Sequence, residues 1–207
     1  MKMLVVLLAV AGCSRDTASV PTPKADPPEV KAAPVDPAAD ADALVKANEA
    51  AGLLGTSLKQ RILQEMADGG PVAAIAACSD EAQALTAQVR GQKQVAVGRA
   101  STKLRNPNNS GPEWVKEWLA ATEGTPAAEA TGLSEVVNGP NGRVARVIKP
   151  IAVEAPCLTC HGAPEAIPED VKAVLAERYP KDQATGYAVG DLRGALWAEA
   201  RVASATP

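Results

Sequence analysis

Phenylalanine is absent from this 207-residue chain, and the only aromatic side chains are Trp114, Trp118, Tyr179, Tyr187 and Trp197. Aromatics ordinarily supply much of a core's buried area. Hydrophobic residues still make up 46% of the chain, and 42 of them are alanine. The core must therefore be built from alanine with Leu, Val and Ile, or a large apolar group must fill it. Histidine occurs once, at His161, which excludes any site needing two histidines from one chain. The formal net charge is −3 and no basic block is present, which argues against a nucleic-acid partner. The length fits one domain. No apolar run is long enough to cross a bilayer.

The first residues read as an address. Lys2 precedes the short apolar run Leu4 to Ala11, and Val10-Ala11-Gly12-Cys13 places small residues before a cysteine. This pattern resembles a bacterial lipobox, in which Cys13 becomes the lipidated first residue of an exported protein. Residues 1–12 are then a lipoprotein signal peptide. Residues 13–39 are the lipidated cysteine and a Pro/Ala-rich linker, with Pro21, Pro23, Pro27, Pro28, Pro34 and Pro37. About 25 such residues at about 3 Å each hold a domain several nanometres from the membrane. The expectation is a protein in the periplasm, tethered by lipid, and Ser14 after the lipidated cysteine favours the outer membrane.

Residues 40–204 read as the folded domain. Asp40 or Asp42 caps a long helix whose apolar stripe is Leu44, Ala47, Ala51, Leu54, Leu58, Ile62 and Met66, ending at Gly69-Gly70. Pro71 opens a second helix with Ile75, Cys78, Ala82, Leu85 and Val89 on one face, stopped at Gly91. Alternation around Val95, Val97 and Arg99 predicts a strand. Pro112 to Ala121 reads as a short helix with Trp114 and Trp118 in its core-facing stripe. Leu133 to Val137 and Arg143 to Val153 form a hairpin about Asn138-Gly139-Pro140-Asn141-Gly142. Pro168 to Tyr179 is helical, Gly186 to Gly194 a loop, and Ala195 to Val202 a last strand. The order gives an α+β fold with an antiparallel sheet and a long N-terminal helix.

The chemistry lies in Cys157-Leu158-Thr159-Cys160-His161, the C-x-x-C-H pattern of c-type haem attachment. Two thiols three residues apart add to the two porphyrin vinyl groups, and the adjacent histidine becomes the proximal iron ligand. The chain's single histidine falls in this motif, and the export signal supplies the compartment in which such attachment is made. The expected cofactor is one covalent haem c. A thioredoxin-like pair, a zinc site using Cys157, Cys160, His161 and Cys78, and a strained Cys157–Cys160 disulfide are the other readings of these residues.

With Cys13 assigned to lipid and Cys157 and Cys160 to haem, Cys78 is left over. It is either a small core residue on a helix face or the sixth iron ligand. Met66, a Lys or Asn, water and an open position compete with it. Methionine raises the potential, thiolate lowers it, and an open iron admits gas or peroxide.

Four strings carry a family resemblance: Ala74-Ile75-Ala76-Ala77-Cys78; Gly98 to Asn109 followed by Glu113-Trp114; Cys157 to Gly162; and Tyr179 to Tyr187 followed by Gly190 to Ala195. Together, over residues 42–202, they resemble the bacterial c-type haem-binding family with a PAS-like fold, a Tll-type haem-binding domain. The resemblance implies a PAS-like antiparallel sheet flanked by helices, with Cys78 as distal iron ligand and a role in redox sensing. No signalling module is recognisable, so a stand-alone, lipid-anchored version is expected. Haem propionates seek cations. Arg99, Lys103, Arg105 and Arg193 are the candidates, with Arg105 and Arg193 the first choices.

The resulting expectation is a mono-haem, cytochrome-like protein for one-electron redox work, as a sensor or an electron carrier with a protein partner, rather than a turnover enzyme. A gas- or peroxide-binding haem protein with a labile distal ligand is one alternative. A haem-free zinc or thiol-redox protein is another.

Overall fold

The computed structural model describes residues 35–203. The expected signal peptide, Cys13 and most of the expected linker lie outside the described residues. The fold is α+β, a PAS-like four-stranded antiparallel sheet flanked by helices, the first of them long.

Helix α1 spans Pro37–Asp80. Asp36 caps it, not Asp40 or Asp42. The Asp36 carboxylate accepts from the amides of Ala38 and Ala39, at 3.0 and 3.3 Å, and Pro37 needs no partner at the first helical position. Pro37, Ala38 and Ala39, expected as linker, are therefore helical. The expected stop at Gly69-Gly70 is a kink instead. Gly70 has φ 75° and ψ −171°, and Pro71 restarts the helix on a new axis. The second expected helix is divided at Glu81. Helix α2, Ala82–Lys93, continues past Gly91 and is ended by Gln94 in the left-handed conformation.

Strands β1 (Ala96–Ala100), β2 (Leu133–Gly139), β3 (Gly142–Ala152) and β4 (Leu192–Arg201) pair in the order β1-β4-β3-β2. Helix α3, Glu113–Ala121, follows β1. The short α4, Leu158–His161, and then α5, Glu169–Arg178, lie between β3 and β4.

The long first segment of α1 covers one face of the sheet. Ala43, Ala47, Ala50, Ala51, Leu54 and Leu58 are buried there, at helical spacing. They meet Val97, Ala145, Val147, Ala198 and Ala200, which alternate along their strands. Alanine thus faces alanine, and helix and sheet approach closely. The other face packs Ala100, Ile148 and Ala195 against Val115 and Leu119 of α3, with Trp114, Trp118 and Trp197 at its margin. Trp197 crosses its register partner Gly98, where a Cβ would stand 2.8 Å from the indole ring.

Three stability outcomes follow. Gly70→Ala places a side chain in a backbone region that only glycine occupies readily, so it costs about 1–3 kcal/mol, whereas helical Gly52→Ala, with open space around it, adds about 0.5–1 kcal/mol. Denaturant unfolding of both variants reads these signs. Ala47→Leu overfills the helix–sheet contact and costs about 1–3 kcal/mol by the same assay; a neutral result would mean that the two layers are less closely packed.

Candidate functional site

Strand direction brings three chain segments to one end of the sheet. β1 and β3 run the same way and finish there, and β4 begins there. The loop after β1 carries Arg105, the turn after β3 carries the C-x-x-C-H motif, and the stretch before β4 carries Asp182 to Asp191.

The motif is stitched to that last stretch. The Val153 amide donates to the Asp191 carbonyl, and the Val153 carbonyl accepts from the Gly190 amide, both at 2.9 Å. A 3-10 turn, Ala155–Cys157, then leads into α4. Cys157 and Cys160, three apart on consecutive helical turns, share one side. Gly162 ends the turn, where a Cβ would stand 2.6 Å from the Leu158 carbonyl oxygen. Its own carbonyl accepts from the Gly186 amide at 2.7 Å, and the His161 carbonyl accepts from the Tyr187 amide at 3.0 Å.

The His161 ring is fixed by one bond. Nδ1 lies 2.7 Å from the carbonyl oxygen of Ala184. A carbonyl only accepts, so Nδ1 holds the proton and Nε2 keeps its lone pair. Burial pushes the imidazole down to about 3, helped by the charges of Arg105 and Arg193 and opposed by the Ala184 bond. The ring is neutral at physiological pH and ready to act as a ligand through Nε2. Tyr187 meets it edge-on at 6.3 Å between ring centres.

The four cations sort by their partners. Arg105 donates from Nε to Asp182 Oδ2 at 3.0 Å and from Nη2 to the carbonyls of Cys160 and Ala184, so both nitrogens hold protein rather than reaching outward. Arg193 donates to Ser101 Oγ at 2.6 Å and to the Lys103 carbonyl, and lies over the Tyr187 ring. Lys103 donates to the Thr185 carbonyl at 2.7 Å and covers the same ring. Arg99 differs, because its buried Nε has no partner.

Cys78 lies on the segment of α1 beyond the kink, half-buried. Its neighbour in the helix, Ile75, packs with Ile167, Val171, Leu175 and Tyr179, and Cys160 joins this cluster. Burial pushes the Cys78 thiol up, and the charges of Arg99 and Arg105 oppose it. Burial likewise raises the Cys160 thiol, on which Arg105 and Cys78 both act. Tyr179 is pushed up to about 12 by burial and by Cys78. Met66 is half-buried on α1 just before the kink and belongs to none of the buried clusters. Trp114 and Trp118, expected in the core, are half-buried at the margin of the cluster around Val115 and Leu119: Trp114 packs edge-on against Trp197 at 6.1 Å, and the Trp118 indole donates to the Thr131 carbonyl.

Asp182, Ala184 and Tyr179 were not singled out by their residue types. Ala184 acts through its backbone, which leaves no mark in a sequence. Asp182 is one carboxylate among 24 Asp and Glu.

The sequence profile of the Tll0287-like family matches residues 29–199. The chain belongs to that family. Among solved structures, the crystal structure of the cyanobacterial heme-protein Tll0287 shares the fold, with a TM-score of 0.54 and 21% sequence identity over 80% of this chain and 96% of that one. No curated protein matches the chain.

The residues present fit a haem better than the competing groups. Cys78, Cys157 and Cys160 are free thiols. Among the described residues no three His, Cys, Asp or Glu side chains gather to hold a metal ion, so the zinc reading finds no ligand set among them. One imidazole nitrogen, two thiols on one side of a turn and a buried guanidinium short of an acceptor suit a group with a metal, two reactive edges and carboxylates.

Because His161 is the only histidine, its titration is unambiguous. An unfolded imidazole protonates near 6.5 and this one near 3. The unfolded chain therefore binds the extra proton between those values, and stability is lost as pH falls from 6.5 towards 3. The imidazole proton resonance of the folded haem-free chain stays still between pH 8 and 5. A midpoint near 6.5 in the folded state would contradict the burial of the ring.

Proposed function

We propose that this chain is a periplasm-facing, lipid-anchored protein carrying one covalent haem c, with His161 as proximal and Cys78 as distal iron ligand. The lipid is carried by Cys13. The fixed His161 tautomer beside Cys157 and Cys160 is the observation that carries the reading, and family membership alongside the cyanobacterial heme-protein supports it. Haem c, when bound, supplies one-electron iron chemistry.

The chain's own residues do the rest. Cys157 and Cys160 hold the cofactor by thioether bonds, and His161 presents Nε2 with its proton held on Nδ1. Cys78 approaches from the kinked helix, in the electrostatic reach of Arg99. The buried Nε of Arg99 is a donor with no protein acceptor, and a haem carboxylate would satisfy it. A haem iron held by both His161 and Cys78 would have no position left for a substrate, which favours electron transfer or redox sensing with a protein partner over turnover.

The test is the optical spectrum of the exported domain, oxidised and reduced, made with haem-maturation machinery. The native chain retains haem through acid–acetone extraction, and Cys157→Ala with Cys160→Ala releases it. Thiolate-type ferric bands are present in the native protein and in Met66→Ala, and are lost in Cys78→Ala. Carbon monoxide binding to the reduced native protein would favour the gas-binding alternative, and an exported chain without haem would end the reading.

A further inference from the structure

Arg105 stands at the centre of a closed circuit. Its Nε bonds Asp182 Oδ2 at 3.0 Å, and the other oxygen of Asp182 accepts from the Ala184 amide at 2.8 Å. Its Nη2 bonds the Cys160 carbonyl and, at 3.2 Å, the Ala184 carbonyl. That last oxygen is the one to which His161 Nδ1 is bonded, at 2.7 Å. The Gln183 amide donates to the Leu104 carbonyl at 2.9 Å, tying the two loops between these contacts. Both side chains of the ion pair keep only 12% of their surface exposed. One guanidinium therefore grips the motif, the loop facing it and the acceptor of the proximal imidazole at once.

We propose that Arg105 is a positioning residue for the proximal ligand, holding the Ala184 carbonyl as a shared and therefore weakened acceptor for His161 Nδ1–H. The inference rests on the reading of His161 as the iron ligand. The physical reason lies in what a histidine gives to a metal. A strong acceptor on Nδ1 draws the imidazole towards imidazolate and makes it a more basic ligand. An acceptor already engaged by a cation draws less, so His161 releases less electron density and the ferrous state is favoured. Asp182 acts through the same loop, one oxygen accepting from Arg105 and the other from the Ala184 amide.

Removing the guanidinium works in one direction by every route. The Ala184 carbonyl becomes a stronger acceptor, a positive charge leaves the neighbourhood of the iron, and the Asp182 carboxylate is left unneutralised. All three stabilise the ferric state. Arg105→Lys keeps the charge, but a single ammonium lacks the planar fork that spans Asp182 and two carbonyls, so it recovers part of the effect.

The experiment uses the haem-loaded exported protein and reads two properties that a merely structural role does not move. These are the midpoint potential by spectroelectrochemistry and the iron–histidine stretching frequency of the ferrous Cys78→Ala background by resonance Raman. Arg105→Gln is expected to shift the potential down and the frequency up, and Arg105→Lys to shift both in the same sense by less. The double variant Arg105→Gln/Asp182→Asn, which removes no net charge, keeps the raised frequency. A haem-loaded Arg105→Gln with both properties unchanged overturns the proposal, and so does a native-like Arg105→Lys if the glutamine variant does not accumulate. A native chain that carries no haem overturns this inference together with its parent reading, whereas loaded variants without shifts remove the positioning role alone.

Discussion

Close contact between α1 and the sheet is the constraint on which the other features rest. A methyl group buries little area, about 0.8 kcal/mol of transfer free energy for each carbon removed from water. Dispersion between two surfaces is forfeited over gaps of less than an ångström. A helix presenting Ala43, Ala47, Ala50 and Ala51 to strands presenting Ala145, Ala198 and Ala200 holds only if the backbones come near enough for methyl to touch methyl. The absence of phenylalanine is then no deficit. It is the condition for two layers packed at short range, and it fixes the sheet against the helix with little latitude. Because β1, β3 and β4 carry the site loops from one end of that sheet, their mutual placement inherits the same rigidity.

Polar organisation takes over where the strands stop. The loops at the site cannot be held by burial alone, since they expose backbone groups that must be paired. The pairing is done by backbone atoms of one loop and side chains of another. Asp182 receives Arg105 and an amide, Arg105 spans two carbonyls, and Ala184 accepts from an imidazole. A half-buried ion pair is stabilising only when its remaining donors and acceptors are satisfied, and here they bond the loops themselves. The contrast with Arg99 is informative. Its guanidinium is as deeply placed, and burial lowers its pKa, yet its Nε bonds nothing in the protein. One arginine completes the scaffold and the other keeps a donor without a protein partner.

The sequence disclosed the elements well and the circuit hardly at all. Period-2 and helical patterns located the strands and helices because burial imposes those periods directly on residue choice. The C-x-x-C-H string was legible because its chemistry fixes both residue types and spacing. Boundaries were less so. Asp36 caps α1 although Asp40 and Asp42 are equally good capping types, and Asp40 pairs instead with Arg143, at 2.6 Å. Glu81 breaks the second helix with no glycine or proline to announce it. Arg105 was visible as a cation near the motif, but a cation's partner is not written in its letter. Its attachment to Asp182, 77 positions away, depends on how two loops cross. The Ala184 carbonyl belongs to a residue whose side chain says nothing about it.

The alanine-rich composition also bears on why a covalent bond would be used to hold a cofactor. Flat apolar groups are ordinarily retained by deep clefts lined with aromatic and large aliphatic side chains. The cluster next to Cys160 offers Ile75, Ile167, Val171, Leu175 and one aromatic, Tyr179. The cleft beside it, between Ile167, Leu175, Tyr179 and Asp182, has a volume of about 390 Å³ and is open to solvent. The larger cleft of about 700 Å³ lies at the far end of the sheet among Lys46, Arg90, Arg146 and Arg201, away from the motif. Non-covalent burial at such a site would bind a haem weakly. Thioether bonds from Cys157 and Cys160 would make retention independent of that burial. The protein would then need only to aim one nitrogen and one sulfur, and aiming is what short-range packing and a closed hydrogen-bond circuit supply.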